Sequence, residues 1–120
     1  MDKVSNEDKL QSIKSFQSSI RKSEKALVQM NEKDSNITLL IKRLKALQIG
    51  LDVLEKVWDL SPYKHTREDL AVARITLAGL LPSIENIYAK AKAGSPQKTL
   101  LERRIKSLKL AVQAIEDITG

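Results

Sequence analysis

Apolar residues recur along this chain at alternating spacings of 3 and 4. From Ile37 they stand at Leu40, Leu44, Leu47, Leu51, Leu54 and Trp58, and from Leu70 at Ala73, Leu77, Leu80, Ile84, Ile87 and Ala91. From Leu101 the same rhythm runs through Ile105, Leu108, Val112 and Ile115. Such spacing keeps side chains on one stripe of a 3.6-residue turn, so it predicts three long amphipathic helices. A fourth helix at the N-terminal side has a sparser stripe of Leu10, Ile13, Ile20, Leu27 and Met30. Phe16 or Gln17 fills its intervening turn, and Ser23 or Glu24 stands where another apolar residue belongs.

Polar punctuation separates the four. Asn31 to Asn36 is polar and offers Asp34, Ser35 or Asn36 as an N-cap, and the segment from Ser61 to His65 breaks the next pattern. Thr66 with Asp69 has the spacing of a capping box. Gly94, Ser95 and Pro96 supply a left-handed turn residue, an N-cap and a first-turn proline. The expected helices cover roughly 6–31, 36–60, 66–93 and 96–118. Helices of about 25 residues are about 37 Å long, and links of about 5 residues cannot return the chain along that length. Neighbours are therefore antiparallel, and the expected fold is all-α, an up-down-up-down four-helix bundle in one domain over residues 1–120. The runner-up is a three-helix core with the first helix loosely docked or exchanged between protomers. In either case the sparse stripe predicts that the first helix detaches at low cost, uncovering a groove between the second and fourth. Pro82 lies inside the third helix, where its missing amide and its ring predict a kink that Gly79 eases.

Two helices carry more apolar positions than one stripe needs. Ile49, Val53, Val57 and Leu60 add a second line to the second helix, and Val72 and Ile75 do so for the third. A doubly apolar helix either touches two neighbours inside the bundle or holds a patch out to a partner. On the second alternative the contact residues for a protein partner or a second copy are Ile49, Val53, Val57, Trp58 and Tyr63, since Trp and Tyr dominate interface hot spots.

Composition agrees with a helical globular domain: 42% of residues are apolar and 30% charged, with four Gly and three Pro. That excludes a disordered tail and a turn-rich β-sandwich. There is no cysteine, which removes disulfides, thiolate metal sites and a cysteine nucleophile. A polar beginning and the lack of an unbroken apolar run of about 18 residues lead to the expectation of a cytoplasmic protein that is not transmembrane.

Catalytic chemistry finds little footing. The single histidine, His65, falls in an expected loop beside Lys64 and Arg67 and reads as solvated. No Glu-x-x-His pair suits a bundle metal site, and the glycines are too scattered for a phosphate loop. Asp52, Glu55 and Asp59 line one helix face and read as a charged exterior. The expectation is a non-enzymatic chain with no catalytic residue, no metal and no cofactor.

Charge is where the sequence is uneven. The chain carries +6 overall. In a rod-like bundle, residues 19–48 and 79–106 share one end, which holds thirteen basic and five acidic residues and so carries +8 against −2 for the other. Lys42, Arg43, Lys45, Arg103, Arg104 and Lys106 are the candidate anion-binding residues at that end. Nucleic acid is the less favoured ligand, because Tyr88 is the one aromatic placed near these cations. The leading expectation is a helical protein-interaction module that also self-associates, followed by a basic anion-binding protein. In outline alone, a small, basic, cysteine-free four-helix bundle resembles several bacterial accessory proteins, bacteriocin immunity proteins among them.

Overall fold

A computed structural model describes residues 4–30, 36–59 and 65–119. It contains four helices, α1 (Asn6–Gln29), α2 (Ile37–Asp59), α3 (Arg67–Lys90) and α4 (Pro96–Thr119), and no strand among the described residues. The ends are set by the capping chemistry that the sequence carries. Ser5 Oγ accepts from the amide of Asp8 at 3.0 Å and Thr66 Oγ1 from that of Asp69 at 3.0 Å, satisfying donors that a first turn leaves free. Before α4, Gly94 takes φ 79°, Ser95 Oγ accepts from Lys98 N at 3.1 Å and Pro96 opens the helix. Of the α2 cap candidates, Asn36 stands immediately before Ile37, while Asp34 and Ser35 lie outside the described residues.

The third helix ends earlier than the expected residue 93. Ala91 is already extended, at φ −73° and ψ 148°, and the chain turns through a bond from Ser95 N to Lys92 O at 3.1 Å. Unwinding these three residues supplies the length needed to reverse direction into α4. Pro82 sits on the exposed side of α3, which runs continuously through it from Arg67 to Lys90.

α1 with α2 and α3 with α4 form two antiparallel hairpins. In the first, Phe16 of α1 lies against Gly50 of α2, while Lys22 and Ser23 share a wall with Arg43. In the second, Arg74 reaches Glu116 at 3.8 Å, Lys109 reaches Glu85 at 3.9 Å and Arg67 Nη2 donates to Thr119 O at 3.2 Å. The hairpins then stack as two layers that cross: Asp8 and Ser15 of α1, seven residues apart, meet the adjacent Lys106 and Ser107 of α4. On one flank of α2, Lys45 pairs with Asp69 and Asp52 with His65. On the other flank, Gly50 lies under Leu77. The molecule accordingly measures 41 × 39 × 20 Å, with two long axes and the thickness of two layers. The fold is an all-α four-helix bundle, as the periodicity predicts. α2 and α4 each touch all three other helices, and α1 and α3 do not touch.

The core lies at the crossing. Phe16, Ile49, Val53, Leu54, Leu77, Ala111 and Ile115 are all at most 2% exposed. Ile49 and Val53 belong to the second apolar line of α2, which therefore serves the helix's several neighbours inside the fold. α4 buries Ser107, Ala111 and Ala114, small residues that an apolar count passes over. α1 buries only Ser12 and Phe16, and Leu10 of its expected stripe is exposed.

Gly50 stands where three helices converge. A Cβ there would sit 2.9 Å from Phe16 Cε1 and 3.0 Å from Leu77 Cδ1, whereas one at Gly79 meets nothing within 4 Å. The two glycines therefore respond oppositely to alanine. Gly50→Ala overpacks the crossing and costs about 1 kcal/mol net of its gain in helix propensity. Gly79→Ala stabilises by about 0.5–1 kcal/mol, because it removes backbone freedom at an open helical position. Urea midpoints of the two variants, measured beside the parent, check both signs.

Candidate binding site at the hairpin crossing

The apolar residues expected at an interface divide on folding. Ile49 and Val53 are in the core and unavailable to a partner in this arrangement. Val57 and Trp58 are partly buried and pack against that core, and Tyr63 lies outside the described residues. The Trp58 indole N–H is buried with no acceptor among the described residues. Exposed apolar surface lies instead on α3, where Val72 is 44% and Ile75 61% exposed. This helix also has the length and composition of a membrane-crossing segment, with a mean hydropathy of 1.3 over its most apolar 18 residues. An unbroken apolar run is not what carries that value, which is why the sequence pattern did not single it out.

The basic residues are redistributed as well. Segments of the expected basic end do meet, since Lys22, Arg43 and Arg104 line one pocket together with Leu80 and Ile84. Lys45 pairs with Asp69 at 3.5 Å, and Lys42 lines the same α2–α3 groove beside Glu68. Lys106 Nζ donates to Asp8 Oδ2 at 2.7 Å, tying α4 to the first turn of α1. These three cations face carboxylates. Arg43, Arg103 and Arg104 remain, and they meet basic residues of α1 that the sequence pattern did not select.

Two concave features open where α1 crosses α4. The larger is a cleft of about 740 Å³ between the two helices. Lys14, Arg21, Lys22, Arg103 and Arg104 line it against a single carboxylate, that of Glu7. Leu10 and Leu100, 53% and 59% exposed, are its apolar members. The signal for the α1 contribution was present as the seven-residue interval between Lys14 and Arg21, which places both on one helix face. The smaller feature is a half-open pocket of about 190 Å³ lined by residues of all four helices. Phe16, Leu47, Leu80, Ile84 and Leu108 form its apolar wall, and Lys22, Arg43 and Arg104 bring three cations to it. Among the described residues no carboxylate lines this pocket, and Arg104 Nε is buried without a hydrogen-bond partner.

Neither feature holds a catalytic constellation. His65 is not the solvated loop residue expected from sequence: it is half-buried, with Nε2 2.9 Å from Asp52 Oδ2, and so fastens the start of α3 to α2. Asp52 is thereby engaged, Glu55 is half-buried, and the side chain of Asp59 is outside the described set. Among the described residues no three His, Asp or Glu side chains are grouped closely enough to hold a metal ion. Tyr88 lies under Lys98 Nζ, 4.6 Å from its ring centroid, so its face is already covered by a cation.

The Asp8–Lys106 bond makes a pH prediction. The ammonium of Lys106, by hydrogen bond, holds the Asp8 carboxyl below its ordinary 3.8 against the opposing effect of desolvation, with further help from its charge and from Ser5. A depressed folded-state pKa means that the stabilisation is complete above the ordinary carboxylate range and is lost as pH falls through the lowered value. Replacing Lys106 by Met is expected to raise the Asp8 titration midpoint, read from its carboxyl carbon chemical shift, and to flatten the acid limb of stability that Asp8 contributes.

No family model, curated protein or solved structure matches this chain.

Proposed function

We propose that this chain is a non-enzymatic helical binding module whose α1–α4 cleft accepts an acidic amphipathic helix from a protein partner. The observation that carries this reading is the cleft's composition: five cations face one carboxylate across a concave surface that also presents Leu10 and Leu100. Surface cations ordinarily alternate with acids or point into open water. Here they converge from two helices onto a trough that runs from Glu7 to Lys22, about 22 Å of α1. That length matches about four turns of a docked helix, with apolar anchors at helical spacing and carboxylates toward the arginines. Aromatic platforms for bases are absent from the lining, which favours a peptide over nucleic acid.

Fluorescence anisotropy with a labelled 18-residue helix of Leu, Ala and Glu tests the reading. Binding is expected to weaken as salt rises from about 50 to 200 mM. The double variant Arg21→Glu/Arg103→Glu is expected to weaken it by about tenfold with helicity unchanged. Binding of DNA or RNA but not the peptide overturns it in favour of a nucleic-acid ligand.

A second reading, self-association through α3, is supported by the exposed Val72 and Ile75 on a helix whose most apolar stretch is only 17% buried. Pairing two such faces would cover apolar surface that the monomer leaves in water. Sedimentation at increasing concentration is expected to show a dimer that Ile75→Lys abolishes, while a monomer at all concentrations removes this reading and leaves the cleft untouched.

A further inference from the structure

The outward side of α3 carries a stripe that the other helices leave uncovered. Val72, Ile75, Gly79, Ser83 and Asn86 lie within about 40° of one line along the helix, and all five are exposed. Glu68 and Lys90, also exposed, fall on the same line and close it at either end. The charged residues between them, Asp69, Arg74 and Glu85, reach instead to Lys45, Glu116 and Lys109 of neighbouring helices. An outer helix face is normally solvated by charge. Here the most apolar 18 residues have a mean hydropathy of 1.3 and are only 17% buried, which marks a contact that the monomer does not make.

The stripe is also symmetric in position. Counted from Gly79, Ile75 and Ser83 stand four residues away, Val72 and Asn86 seven, and Glu68 and Lys90 eleven. We propose that two copies of this chain pair through α3 in antiparallel orientation, with the two-fold axis at Gly79. This rests on the reading of α3 as a self-association face and adds its direction and register. Antiparallel pairing sets Glu68 of each copy against Lys90 of the other, giving two attractive pairs, and it also aligns the helix dipoles favourably. Parallel pairing in register would set Glu68 against Glu68 and Lys90 against Lys90, which repel. Neither residue forms an ion pair within the chain among the described residues, so the two charges are not spent on the fold. A Cβ at Gly79 meets nothing within 4 Å, so the middle of the stripe is open to the approach of a second helix. Ile75 of each copy then meets Ser83 of the other, a large residue on a small one. The carboxylate at one end, and Ser83 and Asn86 within the stripe, disfavour a lipid surface as the occupant.

Sedimentation equilibrium in about 150 mM salt, where repulsion between two chains of charge +6 is screened while contacting pairs persist, tests the pairing. A dimer is expected that Ile75→Lys abolishes. Glu68→Lys and Lys90→Glu are each expected to weaken it about fivefold, because either one turns two attractive pairs into repulsive ones. The double variant Glu68→Lys/Lys90→Glu is expected to restore it, with helicity unchanged throughout. The chain has no cysteine, so introduced thiols report the register directly. Under oxidation a mixture of Val72→Cys and Asn86→Cys is expected to cross-link. Val72→Cys alone is not, since its two copies stand about 21 Å apart along the helix axis. A monomer at all concentrations overturns this inference together with the self-association reading, and one that floats with phosphatidylcholine vesicles assigns the stripe to lipid. A dimer that survives Ile75→Lys lies on another surface and overturns both as well. A dimer that Ile75→Lys abolishes but that ignores both charge reversals, or cross-links through Val72→Cys alone, overturns the antiparallel register and leaves self-association through α3 standing.

Discussion

Everything in this fold depends on how closely two helical layers approach at a single crossing. Gly50 of α2 has no side chain where Phe16 of α1 and Leu77 of α3 converge, and any Cβ there falls within 3.0 Å of both. Interaxial distance follows the size of the side chains at a contact, and steep crossings concentrate the contact into a few positions. One glycine, flanked by Ala46 and Val53 on α2 and assisted by the small buried residues of α4, therefore sets the separation of the layers. It also explains why α1 needs only Phe16 as a large buried anchor: the ring enters the space that Gly50 vacates.

Crossing has a cost in coverage that becomes the source of the binding features. Helices of 23 or 24 residues that cross leave parts of their outer turns exposed, although Leu70 and Ile115 near helix ends are buried. Val28, Leu39, Ile41, Ile87 and Leu100 are exposed for this reason. Between the splayed arms the corner fills with whatever the inner turns carry, and here those turns carry Lys22, Arg43, Arg103 and Arg104. The concave basic corner is thus a consequence of the crossing angle acting on a charge pattern. The same corner in a parallel-sided bundle would be closed by packed side chains.

Pairing across helices sorts the cations that face carboxylates from those that gather in the α1–α4 cleft. Lys45 and Lys106 are drawn to Asp69 and Asp8, contacts between exposed or half-buried groups that fix how neighbouring helices sit rather than add much stability. Around Arg21, Arg103 and Arg104 the cleft lining offers a single carboxylate, that of Glu7.

The sequence by itself determined the number of helices, their caps and their antiparallel pairing into hairpins, because those follow from 3.6-residue periodicity, the capping oxygens of Thr66 and Ser95 and the shortness of the links. It also held the doubly apolar character of α2. Tertiary structure alone decided which of the two meanings that character has, and Ile49 and Val53 went inside because α2 touches three neighbours at once. The crossing angle was equally beyond the pattern: it turns on Gly50, a residue that periodicity counts as a gap, and on the small residues Ser107, Ala111 and Ala114. With the angle went the grouping of charge, since residues far apart in sequence share a surface only after the layers are placed. That is why Lys14 joins Arg21, Lys22, Arg103 and Arg104, while Lys42, Lys45 and Lys106, placed at the same end by the antiparallel order of the helices, turn toward acids on other helices.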